Sequence, residues 1–266
     1  MITSFLIYCL CGVIAGLLAG LLGVGGGIVI VPMLVYIFPT QGIPSELIHH
    51  MALGTSLATI VLTSISSARA HNSRGAVLWN VFGHITPGIL IGTFTGGLIA
   101  SHIPTVPLKV VFICFQTIVA IQMFSNYRPP ATREMPGKLG TSFVGVIIGI
   151  ISSFVGIGGG TLSVPFMTFC NIDAHKAIGT SASIGFPIAL AGTLSYIIGG
   201  WSIENLPPYC LGYVNFLAFF GISITSFFTA PIGAKISHNM SIPKLKFWFA
   251  CFLLCIIAKM IFDLVK

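Results

Sequence analysis

The sequence predicts an all-α polytopic membrane protein of two inverted-topology repeats, each with about four to five helical segments. Three observations carry that expectation. Of 266 residues, 55% are hydrophobic and only 6% charged, with a mean hydropathy of +1.02, whereas a soluble domain carries roughly a quarter charged residues to keep its surface wet. The apolar residues gather into stretches of membrane-spanning length. Short motifs then recur, in the same order, in the two halves of the chain. The same composition excludes a disordered chain, since the apolar content is far too high.

In chain order, the apolar stretches of the first half are 3–22, 28–38, 51–68, 76–100 and 108–124. The first lacks a basic leader region and is expected to be retained as a helix, not cleaved as a signal. A polar, proline-containing linker follows at 125–138, and the series resumes at 139–155, 161–169, 177–198, 209–236 and 245–265. This divides the chain into an N-terminal transmembrane repeat (1–124), a cytoplasmic linker (125–138) and a C-terminal transmembrane repeat (139–266). Three segments in each half reach the ~20 residues a spanning helix needs. Segments 28–38 and 161–169 cover only ~15 Å each at the helical rise. Each is therefore expected to be a half-helix, a re-entrant arm or part of a broken span.

The duplication is visible in the residues. Gly23-Val24-Gly25-Gly26-Gly27 followed by Val31-Pro32 recurs as Gly156-Ile157-Gly158-Gly159-Gly160 followed by Val164-Pro165. Ala52-Leu53-Gly54-Thr55-Ser56 recurs as Ala177-Ile178-Gly179-Thr180-Ser181. Ser101-His102 matches Ser237-His238, and Leu108-Lys109 with Cys114-Phe115 matches Leu245-Lys246 with Cys251-Phe252.

Charge orients the halves, because Lys and Arg collect in cytoplasmic loops. With the N-terminus outside, inverted halves put Arg69, Arg74, Arg128, Arg133, Lys138, Lys176, Lys235, Lys244 and Lys246 inside, nine of the twelve basic residues. Lys109 and Lys266 remain outside and Lys259 lies within the last helix. A parallel repeat would move four of the nine outside, so inversion is favoured. The net charge of +7 is then mostly topology, and no basic run interleaved with aromatics suggests nucleic acid. Charge leaves open whether each glycine turn crosses the membrane or dips in and returns.

The glycine clusters carry the strongest functional signal. Three consecutive glycines do not make stable interior helix, each costing about 1 kcal/mol relative to Ala. Irregular backbone at membrane depth is tolerated only where protein buries it or a wet cavity lies beside it. Gly25, Gly26 and Gly27, and again Gly158, Gly159 and Gly160, would aim free N–H groups and the positive end of a helix dipole at one point. The competing use of such residues is close helix packing. Two copies, each before an unusually short apolar segment, point to a transporter's binding site. Thr55, Ser56, Thr180 and Ser181 supply hydroxyls for an anion or for backbone freed by the broken helix, or bond back to their own helices.

Other chemistry is sparse. The five acids, Glu46, Glu134, Asp173, Glu204 and Asp263, fall in loops or near helix ends. Lys259 and Asp263, four apart, are expected to pair or to snorkel near the surface. His84 is the titratable group expected well inside a span, as a structural histidine, a pore-lining group or a proton coupler. His49 and His50 read as loop residues, and His102 and His238 as interfacial. The seven cysteines read as small core residues, with no metal site and no cofactor. The chain has no nucleotide-cradling motif and no hydrolase motif, which excludes an ATP-driven motor of its own and leaves no reading as an enzyme of those classes.

The paired Gly-x-Gly-Gly-Gly…Val-Pro and Ala-x-Gly-Thr-Ser blocks, on a chain of this length, resemble the sulfite exporter TauE/SafE family of bacterial membrane permeases. The resemblance covers essentially the whole chain. It implies a multi-pass protein of the bacterial inner membrane that moves sulfite, organosulfonates or related small anions. It also implies that the matching glycines, threonines and serines form the substrate site. A permease working by alternating access is the leading expectation, with a small anion and the lipid bilayer as its partners. A gated anion channel and a membrane-embedded thiol protein using Cys9, Cys11, Cys251 or Cys255 are the alternatives.

Overall fold

The computed structural model describes residues 2–22, 25–124, 134–204, 206–237 and 242–265. Gly23, Val24, Arg128, Arg133, His238, Lys266 and most of the linker lie outside them, as do the side chains of Lys244, Lys246 and Asp263. The described first half contains α1 (Ile2–Leu22), α2 (Gly27–Ile37), a 3-10 turn (Phe38–Gln41), α3 (Ser45–Asn72), α4 (Trp79–His102) and α5 (Thr105–Phe124). The second contains α6 (Lys138–Val155), α7 (Gly160–Phe169), α8 (Ala174–Gly199), β1 (Cys210–Leu211), β2 (Val214–Asn215), α9 (Phe216–Ser237) and α10 (Ile242–Val265). Seven described helices are long and apolar enough to cross a membrane. The protein is an all-α, multi-pass membrane protein. α2 and α7, with 11 and 10 residues, each reach only about half a bilayer at the helical rise.

α3 and α8 are the most buried spans and form the centre. Gly54 lies against Tyr196, Leu57 against Gly192 and Ser64 against Gly185, so the two run antiparallel. α1 packs along α9 and α4 along α6. Gly12, Gly16 and Gly20 meet Ile222, Ser226 and Ala230 in turn, and Gly88, Gly92 and Gly96 meet Ser142, Val146 and Ile150, so both of these pairs are parallel. α2 lies on α3, α7 on α8, and α5 against α10. Exchanging the first five helices for the last five leaves this packing pattern unchanged. The contact faces are built from glycine, which lets helices approach closely where apolar side chains gain nothing over lipid. Large apolar residues such as Leu6, Leu10, Ile118 and Phe228 point outward, as a lipid-facing surface requires.

Three expectations change. The stretch 209–236 is helical only from Phe216, because its first residues form the β1–β2 hairpin, with Cys210 opposite Asn215 and Leu211 opposite Val214. Pro207 and Pro208 precede that hairpin and Gly212 turns it at φ 52°, against the backbone of Ile197. α3 starts six residues before the expected 51, at Pro44-Ser45, so His49 and His50 are buried helical residues, not loop residues. Tertiary contacts explain it: His49 sits edge-on to Phe112, while His50 stacks on Tyr213 and its Nε2 lies 2.9 Å from the Ile103 carbonyl. His84, expected well inside a span, occupies the second turn of α4 and is only half-buried.

Candidate functional site

Near its C-terminal end α1 approaches that of α3, where His71 Nε2 lies 3.2 Å from the Gly20 carbonyl. At the end of the following arm, Gln41 Nε2 donates to the Tyr8 hydroxyl at 2.5 Å. The chain therefore reverses at the glycine turn, and α2 returns to the end from which α1 set out. Gly26 (φ 82°) and Gly159 (φ 74°) hold the left-handed conformation immediately before α2 and α7, a region that costs an L side chain roughly 1–2 kcal/mol.

The two turns touch. A Cβ added at Gly25 would stand 3.2 Å from Gly158 Cα, and one at Gly27 would stand 2.2 Å from the Gly156 carbonyl oxygen. Gly25, Gly26, Gly27, Gly158, Gly159 and Gly160 are all buried. Val29 and Ile30 donate to the Gly26 carbonyl, and Leu162 and Ser163 to that of Gly159. The amides of Gly27 and Ile28, and of Gly160 and Thr161, precede those bonds and have no intrahelical acceptor. Two positive helix ends thus meet in the interior, an arrangement suited to an anion.

The motif hydroxyls are engaged with backbone and with one another. Thr55 Oγ1 accepts from the Asn215 amide at 3.0 Å, just ahead of α9, and Thr180 Oγ1 accepts from the Leu78 amide at 2.9 Å, just ahead of α4. Each threonine of the repeat therefore ties down a helix start in the other half of the chain. Ser56 Oγ donates to the Gly156 carbonyl at 2.8 Å, and Ser163 Oγ donates to Ser181 Oγ at 2.9 Å. Thr55, Ser56, Thr180 and Ser181 are all fully buried, and of these Ser56 braces a glycine turn directly.

Residues outside the motifs complete the site. Ser152, Thr161 and Thr93 carry buried hydroxyls without a hydrogen-bond partner among the described residues. Ser152 Oγ would stand 3.3 Å from a Cβ at Gly159, Thr161 is the second residue of α7, and Thr93 Oγ1 lies against Gly149, one turn before Ser152. An unsatisfied buried polar group costs about 1–3 kcal/mol, so Ser152 and Thr161 beside the start of α7, with Thr93 against α6 one turn away, favour a polar occupant. The signal was in the repeat: counted from the glycines, Ser152 stands where the first half has Ala19, and Thr161 where it has Ile28.

The cysteines are dispersed and free, and no group of three His, Cys, Asp or Glu side chains among the described residues could hold a metal. Burial pushes the Cys210 thiol up to about 11, away from the thiolate a nucleophile needs. The expectation of core cysteines holds for Cys11 and Cys170, whereas Cys114 and Cys255 are exposed. Replacing Cys9, Cys11, Cys251 and Cys255 by Ala is expected to leave transport within about twofold of wild type, since Cys11 is a small buried group and the other three lie at or near the surface of their helices. A collapse of flux measured in that variant, with the protein still inserted, would restore thiol chemistry as a reading.

The comparisons agree with this architecture. The profile of the family described as "Sulfite exporter TauE/SafE" matches residues 8–260. A "Probable membrane transporter protein" of Haemophilus influenzae is 39% identical over 261 residues, covering 98% of this chain and 99% of the relative. A similarly named protein of Methanocaldococcus jannaschii is 30% identical, covering 88% and 86%. Another, YunE of Bacillus subtilis, is 28% identical, covering 89% and 90%. No solved structure matches. With the profile spanning nearly every helix and both glycine turns, the chain belongs to the sulfite exporter TauE/SafE family, whose relatives are membrane transporters rather than enzymes.

Proposed function

We propose that this membrane transporter is a secondary permease for a small, sulfur-containing oxyanion such as sulfite or an organosulfonate, working in the bacterial inner membrane. The anion binds where Gly25–Gly27 meets Gly158–Gly160, held by the leading amides of α2 and α7 and by the hydroxyls around them. The observation that carries this reading is the buried contact of two helix N-termini, with no carboxylate beside them among the described residues. Ser152 and Thr161 weight the site toward α7.

Alternating access follows from rocking of residues 1–124 against 139–266 as inverted repeats joined by a cytoplasmic linker. Two observations support inversion. Corresponding helices α3 and α8 run antiparallel, whereas a repeat about an axis normal to the membrane would run them in the same direction. The basic residues also gather on one face only under that arrangement.

Purified protein in proteoliposomes, given sulfite, sulfate, thiosulfate, sulfonates and carboxylates at two pH gradients, tests the reading. Saturable flux of at least one sulfur oxyanion is expected. Conductance that never saturates would replace the permease with a gated channel. A pH-driven flux that disappears in His84→Gln assigns proton coupling to His84, and indifference to the gradient makes the protein a uniporter.

A further inference from the structure

The basic residues that escape the inner face need an explanation of their own. A cavity of about 240 Å³ lies between the end of α2, the first two turns of α3 and the start of α5, and Tyr36, Ser45, His49, Thr105 and Lys109 line it. Lys109 is half-buried, with no carboxylate at ion-pair distance among the described residues. His49 is 1% exposed, and its Nε2 has no hydrogen-bond partner among the described residues. The Lys259 ammonium lies 3.9 Å over the ring of Tyr36, one of the lining residues. Ser45 opens α3 behind Pro44, with no side-chain cap over its first amides. Glu46 is exposed and absent from the lining, and its main-chain carbonyl accepts from the Thr105 hydroxyl.

An unpaired lysine, a buried imidazole nitrogen and the free amides of a 28-residue helix together make an anion site. Lys109, outside in the inverted topology, also runs against the charge bias that orients the chain. The volume is below the ~300–1,000 Å³ of clefts for drug-sized ligands, yet holds about eight times the ~30 Å³ share of one water. A small oxyanion with a few waters fits. We propose that this cavity is an outer recruiting site for the transported oxyanion, separate from the glycine turns and occupied before the anion reaches them. The proposal rests on the permease reading and names where its substrate is first held. The phosphate of an anionic lipid has the same chemistry, and the test separates the two sources.

Full-length protein in proteoliposomes is assayed with sulfite. Lys109→Gln is expected to raise the half-saturating concentration about fivefold and to flatten its dependence on ionic strength, with maximal flux within about twofold. Lys109→Arg is expected to restore the wild-type value. An unchanged half-saturation in both Lys109→Gln and Lys109→Gln/His49→Gln overturns the proposal. So does an effect confined to vesicles containing anionic lipid and absent from purely zwitterionic ones, which assigns the cavity to a headgroup. Binding of labelled sulfite to transport-dead Gly27→Val protein keeps the two readings apart. Retained binding that Lys109→Gln removes supports the outer site, and binding untouched by Lys109→Gln overturns it while leaving the permease reading intact. Absence of any saturable sulfite flux or binding in wild-type protein overturns both.

Discussion

Gly27→Val is expected to reduce anion flux at least about 100-fold while leaving a folded, inserted protein. The argument is geometric. Gly27 is a helical residue with an ordinary backbone conformation, so strain plays no part. What forbids a side chain is space. A Cβ would stand 2.2 Å from the Gly156 carbonyl oxygen and 2.9 Å from Ile157 Cα, and backbone on the far side has no rotamer with which to give way. The turns must part by roughly 1 Å, a displacement that costs on the order of 100-fold where groups act through close positioning. The overpacking itself costs only about 1–3 kcal/mol, within the ~5–15 kcal/mol that holds a typical fold. Gly83→Ala is the control, since its Cβ meets nothing within 4 Å. There, flux is expected to match wild type and stability to rise by up to about 1 kcal/mol. Wild-type flux from inserted Gly27→Val would sink the assignment of the site to the turns.

The parts of this protein written in local chemistry were legible from residues alone. Composition marks the membrane. Runs of glycine mark breaks in helices, because glycine's propensity is a property of the residue itself, and α2 and α7 begin within one residue of where the clusters place them. What depends on a distant partner was not legible. Glu46, His49 and His50 look like a polar loop, yet Phe112, Tyr213 and the Ile103 carbonyl, all remote in sequence, draw both histidines into the first turns of α3. The hairpin at 210–215 hides in an apolar run that reads as helix, because Val, Leu and Tyr suit either state. Ser152 and Thr161 escaped notice because motif reading rewards what the halves share, and these two residues are where they differ.

The threonines of the repeated Gly-Thr-Ser blocks separate a bracing role from a binding one. Thr55→Val and Thr180→Val keep the side-chain volume and remove one acceptor each. The amides of Asn215 and Leu78 then lose their acceptors at 3.0 and 2.9 Å, the first in a buried and the second in a part-buried setting. An orphaned buried amide costs about 1–3 kcal/mol. At about 2–4 °C per kcal/mol for chains near this size, melting temperatures are expected to fall by about 2–12 °C. Both substitutions should cost similar amounts, since each threonine secures the start of a corresponding helix, α9 for one and α4 for the other. Thr→Ser at either position keeps the acceptor and should recover most of the loss. Half-saturation of anion flux is expected to stay at the wild-type value in both valine variants. If melting is unchanged and half-saturation rises instead, the hydroxyls hold the anion and the bracing role is wrong. Loss of stability without loss of affinity would leave the leading amides of α2 and α7, with Ser152 and Thr161, as the groups that meet the charge.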